Sequence, residues 1–286
     1  MVLKQLLGSV SPAAFMQEHF LRLPFALAGG CAHLAACGDW PVVERALSSP
    51  EADVIVGSAE QRFDGKTPTS LDEARQLLAQ GLTVGIRHAE KHDDSLAELA
   101  GSFAADFAAP IDIHLYCTPA GKPGFGWHYD AEDVFVLQTR GKKEWWLRKN
   151  TVNPWPLVET LPKDMKYERE IMPAMRCLLA AGDWLYIPAG YWHRTECQEE
   201  SISLSVGIES PSAVNVLDFL RPQLLESLRW RQRLPPAGAA ASLSERELLE
   251  QYQALLRELG TDLARLLANP HTAEAFLNSL KCQTND

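Results

Sequence analysis

The stretch from about residue 110 to residue 210 constrains this chain more than any other part of it. Short apolar or alternating runs (Ile111–Cys117, Val134–Gln138, Glu144–Leu147, Trp184–Ile187 and Ile202–Ile208) are separated there by Gly and Pro. Runs of that length, punctuated by turn residues, predict an antiparallel β sandwich or barrel. Six of the eight tryptophans, at 127, 145, 146, 155, 184 and 192, fall in this zone. Their expected place is the barrel interior, with some at a pocket mouth.

The flanks have a different texture. Before residue 110 the chain mixes helix-like and strand-like pieces. Ser11-Pro12-Ala13-Ala14-Phe15 reads as an N-cap followed by proline at the first helical position. Thr69–Leu78 predicts a helix opening at Ser70, and Leu82–Ile86 predicts a strand. From about residue 213 the spacing becomes helical. Val216, Leu217, Phe219 and Leu220, then Leu224, Leu225 and Leu228, recur at that interval. Glu245–Leu267 carries Leu248, Leu249, Tyr252, Leu255, Leu256, Leu259, Leu263, Leu266 and Leu267 on one face. Pro235-Pro236-Ala237-Gly238 separates the two helical stretches. Stripes so rich in leucine need a cover, either the β domain or a second subunit.

Composition excludes some classes. The 286 residues suffice for a full core. At 46% hydrophobic and 22% charged, the chain is neither disordered nor fibrous. A formal net charge of −10 argues against a nucleic-acid scaffold, which needs a basic face, and suits a cationic partner. No apolar run approaches the roughly 20 residues of a membrane helix, and Met1–Leu7 is too short for a signal peptide. The six cysteines form no CxxC pair, so neither a zinc ribbon nor a disulfide framework is indicated. The expectation is a reduced, cytoplasmic protein.

The chemistry concentrates in two segments. The first is Gly124-Phe125-Gly126-Trp127-His128-Tyr129-Asp130. On a strand, residues i and i+2 share a face, so His128 and Asp130 can converge on one ion. The second runs from Gly182 to His193 and fits G-x5-P-x-G-x2-H throughout. Its Gly and Pro make the turns that present a histidine at a barrel rim. Two imidazoles and one carboxylate on one face form the set used by non-haem Fe(II) oxygenases, with coordination positions left open. His19, His33, His88, His92 and His271 have no partner at comparable spacing.

With these residues in view, the chain resembles JmjC-type members of the cupin superfamily, in particular the ribosomal oxygenases. The matching residues run from Leu115 to Gly121 through Gly124-Phe125, His128-Tyr129-Asp130 and Asp133–Gln138. They continue through Gly141–Trp145 to Gly182–Pro188 and His193. The similarity covers roughly residues 10 to 212. It implies a mainly β fold, a double-stranded β-helix of the jelly-roll kind, with an N-terminal α/β elaboration and a C-terminal helical segment. It implies a catalytic domain over 1–212 (elaboration 1–109, metal-binding barrel core 110–212) and a helical region over 213–286 that makes a homodimer.

The same resemblance implies Fe(2+) held by His128, Asp130 and His193, with 2-oxoglutarate as cosubstrate. Lys143, fifteen positions after the first histidine, matches the residue that holds the cosubstrate's distal carboxylate. A buried anionic tail needs such a cation, and alternation puts Lys142 on the opposite, solvated face. Tyr116 matches a tyrosine assisting that carboxylate, and Ser201 a serine near the cosubstrate. Ser201, Ser203 and Ser205 share one strand face, opposite Ile202, Leu204 and Val206, which indicates a pocket on the polar side. His114 departs from the pattern, since these enzymes commonly carry asparagine there; it is a candidate contact to cosubstrate or substrate. About 74 residues follow the catalytic domain, room for the dimerisation helices but short of a winged helix. The implied activity is hydroxylation of a protein or peptide side chain, with a basic peptide suited to the charge. The competing readings are a small-molecule or modified-peptide hydroxylase on the same iron, and a non-catalytic metal-binding cupin scaffold.

Overall fold

The computed structural model describes residues 1–60, 63–162, 165, 167, 171–237 and 243–282. The chain divides into two units, Met1–Ser210 and Pro211–Asp286. The first opens with helices α1 (Val2–Leu7) and α2 (Pro12–Glu18), strand β1 (Phe25–Leu27), helix α3 (Trp40–Leu47) and strand β2 (Asp53–Gly57). Helix α4 (Leu71–Ala79), strand β3 (Thr83–Arg87) and helix α5 (Asp94–Phe107) follow. Then come seven strands: β4 (Ile111–Thr118), β5 (Asp133–Arg140), β6 (Lys142–Arg148), β7 (Met175–Ala180), β8 (Trp184–Ile187), β9 (Trp192–Cys197) and β10 (Ser201–Ile208).

These strands form two antiparallel sheets. One has seven strands in the order β1-β8-β5-β10-β4-β3-β2, the other three in the order β7-β6-β9. The mainly β expectation for 110–210 therefore holds, with two strands, β7 and β9, that the apolar runs do not reveal. Alternation explains how the large sheet is covered on both faces. On β5, Phe135 and Leu137 join the core packed by the N-terminal helices, while Val134 and Val136 join a second cluster with Trp145, Leu147, Leu185 and Ile187. The polar side of β10 faces inward too, and Ile202, Leu204 and Val206 are fully buried on its other side.

The helices of this unit form where their caps and apolar spacing dictate. Ser11 and Ser70 accept from Ala14 N and Glu73 N, capping α2 and α4. Asp93 caps α5, which buries Leu96, Leu99, Ala100 and Phe103 at helical spacing. Met1–Leu7 contributes α1, whose Val2, Leu3, Leu6 and Leu7 are core residues. The tryptophans do not share one environment. Trp184 sits in the helix-covered core and Trp145 between the sheets, whereas Trp155 is 85% exposed. Trp127 and Trp146 are half-buried, each beneath the Arg194 guanidinium.

In the second unit all named elements are helices: α6 (Ala213–Glu226), α7 (Glu245–Ala268) and α8 (Pro270–Cys282). Of the Pro235–Gly238 stretch, Gly238 lies outside the described residues. No helix among the described residues is long and apolar enough to cross a membrane. Cys31, Cys37, Cys117, Cys177 and Cys197 are free thiols.

Candidate metal centre

His128 lies between β4 and β5 and forms an isolated antiparallel bridge with His193, the second residue of β9. The two backbones exchange both hydrogen bonds, His128 N to His193 O at 3.1 Å and His193 N to His128 O at 2.8 Å. That pairing sets the imidazoles face to edge, with ring centroids 4.2 Å apart. A turn holds the third member. Tyr191 N donates to Pro188 O, and Gly190 occupies the position that needs positive φ, at +79°. Gly190 N then donates to Asp130 O at 2.8 Å. The Pro and Gly of the second motif thus tie the approach to His193 to the backbone of Asp130.

Ligand-type atoms of His128, Asp130 and His193 lie within 4.8 Å of one another. Each histidine is oriented from behind. His128 Nδ1 lies 2.7 Å from Gly126 O, and His193 Nδ1 lies 3.0 Å from Tyr191 O. A carbonyl only accepts, so in the neutral rings Nδ1 carries the hydrogen and Nε2 keeps its lone pair. His193 Nε2 stands 3.5 Å from Asp130 Oδ2. Burial holds the His193 pKa well below the usual imidazole range, reinforced by the neighbouring His128 and opposed by Asp130. A neutral imidazole is the form that ligates a metal.

The three side chains line one cavity, which Tyr116, Lys143, Trp145, Thr195, Ser203 and Ser205 also line. Lys143 is 3% exposed and donates to Ser203 Oγ at 2.8 Å. Among the described residues it meets no carboxylate, and burial lowers its pKa, with Cys197 and Cys117 pulling the other way. The buried indole N–H of Trp145 also lacks a partner among the described residues. A buried ammonium and a spare donor beside one cavity are the complement of an anion. Lys142 points outward, exposed, and pairs with Glu199 at 2.8 Å.

Tyr116 lines the same cavity. Its hydroxyl is 3.3 Å from His114 Nδ1, and burial raises its pKa, with Asp130 and Asp112 adding to the effect. Ser201 is placed differently from the reading above. It is fully buried, 3.1 Å from Cys197 Sγ, and is not part of the cavity wall. Ser203, one pleat along β10, takes the position beside Lys143; it pairs across the sheet with Tyr116 as Ser205 does with His114.

His114 belongs to a polar group with Asp112, which stands two residues before it on the same face of β4. Its Nε2 lies 3.4 Å from Asp112 Oδ2, and Asp112 and Glu132 line the cavity with it. Burial lowers the His114 pKa, but the hydrogen bond and charge of Asp112, then Glu132 and Asp130, leave it raised. Asp112 is lowered because His114 and His88 outweigh its burial. Glu132 is pushed up to about 7 by burial and by its neighbours Asp112 and Asp130. His88, which has no partner in sequence, comes within 3.8 Å of Asp112 Oδ2.

Comparison with known proteins adds four findings. The JmjC domain family matches residues 86–216. Ribosomal oxygenase 1 of Gallus gallus is 26% identical over 259 residues, 80% of this chain and 41% of that protein. The "bifunctional lysine-specific demethylase and histidyl-hydroxylase NO66" of Dictyostelium discoideum is 33% identical over 135 residues, 46% of this chain and 26% of that one. The chain therefore spans less than half the length of these curated relatives. Among solved structures, YcfD, a ribosomal oxygenase from Escherichia coli in complex with cobalt and 2-oxoglutarate, matches with a TM-score of 0.54. At 20% identity the match covers 96% of this chain and 71% of that one, a likeness of fold.

Proposed function

We propose that this chain, whose residues 86–216 match the JmjC domain family, is an Fe(II)- and 2-oxoglutarate-dependent dioxygenase that hydroxylates a protein or peptide side chain. The observation that carries this reading is a His-Asp-His cluster sharing one cavity with a buried lysine that meets no carboxylate among the described residues. In it, His128 Nε2, His193 Nε2 and the Asp130 carboxylate hold the iron, and the two sheets form a jelly roll around them. When bound, iron and 2-oxoglutarate supply the power to oxidise an unactivated C–H bond with dioxygen, giving succinate and carbon dioxide.

The protein's part is placement. The backbone carbonyls of Gly126 and Tyr191 fix the tautomers, so both Nε2 atoms face the cavity. Lys143 and Ser203 receive the distal carboxylate, which supplies the counter-charge Lys143 lacks, and the Tyr116 hydroxyl assists. Val134, Trp145 and Ile187 form an apolar part of the wall and keep water from it. Asp112 and Glu132 line the same cavity and favour a basic substrate side chain, in keeping with the net charge of −10. His114 serves here as a contact to substrate or cosubstrate. Ser201 supports the strand from behind through Cys197.

The helical unit is proposed to make a homodimer. Leu249 and Leu256 of α7 are 57% and 62% exposed, and none of its residues is buried. The free thiols suit a reducing compartment such as the cytoplasm.

The test is turnover by the full chain with ferrous iron, ascorbate and 2-oxoglutarate. Succinate release, with the mass of one oxygen added to a basic peptide, is the expected result. His128→Ala or Asp130→Ala should abolish both, exceeding the ~100-fold loss typical of removing an outer-shell partner. Near-normal turnover in either variant would refute the ligand set. Oxygen added to small molecules but to no peptide would transfer the activity to the other hydroxylase reading.

A further inference from the structure

A second set of ligand-type atoms lies apart from His128, Asp130 and His193. His88, Asp112 and His114 bring one atom each to within 4.8 Å of one another. His88 Nδ1 is 3.8 Å from Asp112 Oδ2, and His114 Nε2 is 3.4 Å from the same oxygen. The two imidazoles stand perpendicular, at 87°, with centroids 5.4 Å apart. Donor atoms bound to one zinc at about 2.0–2.1 Å in tetrahedral geometry lie roughly 3.3 Å from one another. The spacing found here needs only small side-chain shifts to reach that value.

The surroundings point to a cation. Asp112 and His114 are i and i+2 on β4, so both face the cavity. His88 follows the last residue of β3, the neighbour of β4, and its backbone is left-handed at φ +49°. Few non-glycine residues adopt that conformation, and histidine is among those that do so most readily. His114 Nδ1 faces the Tyr116 hydroxyl, while its Nε2 is turned to the Asp112 carboxylate, 3.4 Å away. At that position a proton bridges the nitrogen and the carboxylate, and a divalent metal ion can take the proton's place. Glu90 stands close by. Its Oε2 accepts from Ile113 N at 2.8 Å, and its Oε1 is 4.0 Å from His88 Nδ1, within reach of a fourth position.

We propose that His88, Asp112 and His114 form a second divalent-metal site in the wall of the same cavity. Two imidazoles and a carboxylate favour a borderline ion such as zinc over calcium or magnesium, which prefer all-oxygen shells. Water or Glu90 completes the shell. An ion there adds positive charge where Asp112 and Glu132 otherwise make the wall acidic. The site stands on its own residues and does not depend on the oxygenase reading.

The experiment is zinc titration of the metal-stripped full chain, read by calorimetry and by elemental analysis after desalting. Wild type is expected to hold two equivalents. His88→Ala and, as a milder change, His88→Gln should each weaken one equivalent more than about 100-fold, since losing a ligand exceeds losing an outer-shell partner. His128→Ala should remove the other. A single equivalent that His88→Gln loses and His128→Ala keeps would uphold this site while removing the proposed iron site. Two equivalents retained in both His88 variants, or one equivalent lost only in His128→Ala, would overturn the second site and leave a shared proton between Asp112 and His114.

Discussion

Strand β5 of the first unit and helix α7 of the second use the same residue, leucine, in opposite ways. In Met1–Ser210, Leu137 and Leu204 are fully buried, paired across β5 and β10, on a sheet face that helices cover. In Pro211–Asp286, α7 has 24 residues and buries none of them. Leu248, Tyr252, Leu255, Leu259 and Leu266 are half-buried along one seam, and Leu249 and Leu256 are exposed beside it. Periodicity therefore specifies a helix without specifying what covers it, whereas a strand buried on both faces carries its cover in its register. Leu137→Ala should cost about 2–5 kcal/mol, the range for truncating a buried leucine. Leu256→Ala should stay within about 0.5 kcal/mol in a dilute monomer. Denaturant unfolding at two protein concentrations checks both values. A Leu256→Ala cost that grows with concentration would show that a second copy covers the stripe.

The contrast within β6 is sharper, because it lies between adjacent residues. Lys142 pairs with Glu199 in solvent, and Lys143 is buried against Ser203. Charge-assisted hydrogen bonds are worth about 1.5–3 kcal/mol, so Lys143→Ala should weaken 2-oxoglutarate binding about tenfold to a hundredfold. Lys142→Ala should leave it unchanged, as exposed ion pairs contribute little. Calorimetric titration of 2-oxoglutarate into both variants decides the matter. Equal affinities would move the carboxylate partner elsewhere on the cavity wall.

The parts legible in the sequence are those set by local rules. Trp184–Ile187 matches β8 residue for residue, and Ser70 caps its helix. The sequence predicts that His128 and Asp130 share a strand face. Instead His128 forms an isolated bridge with His193, and Asp130 lies in the loop before β5, tied to Gly190. The three meet through the turn that Pro188 and Gly190 shape. β9 was hidden because Arg194 and Glu196 interrupt its apolar pattern, although Thr195 lines the cavity and Cys197 is buried. Ser203 lines the cavity where Ser201 does not, and His88 meets Asp112, for a different reason. Both placements follow from pairing between distant strands, β4 with β10 and β3 with β4, which no spacing along the chain encodes.

Helix starts extend the comparison between units to smaller effects. Ser244 opens α7 with a capping box, its hydroxyl accepting from Glu247 N while Glu247 accepts from Ser244 N, all in solvent. Ser244→Ala should cost about 1 kcal/mol. The loss should appear as weaker hydrogen-exchange protection in the first turn of α7, with α5 unaffected. Unchanged protection would mean that the seam, not the cap, holds that end.

Asp93 caps α5 from inside the first unit. Its side chain is 1% exposed and accepts from Ser95 N and Leu96 N, and from Arg45 Nε at 2.7 Å. Burial raises its pKa, but the Ser95, Arg45 and Leu96 hydrogen bonds and the Arg45 charge outweigh that and leave it lowered. A carboxyl with a folded pKa below its unfolded value of about 3.9 adds stability above that pH. The contribution fades as the pH falls through the folded pKa. Asp93→Asn keeps a capping oxygen and loses the charge together with the acceptor facing Arg45 Nε, and the half-exposed partner limits the effect to under about 1 kcal/mol near neutrality. The gap in stability between wild type and Asp93→Asn should therefore close as the pH drops below about 4. Urea unfolding of both proteins at neutral and acid pH measures it, and a gap that persists in acid would assign the effect to geometry instead of charge.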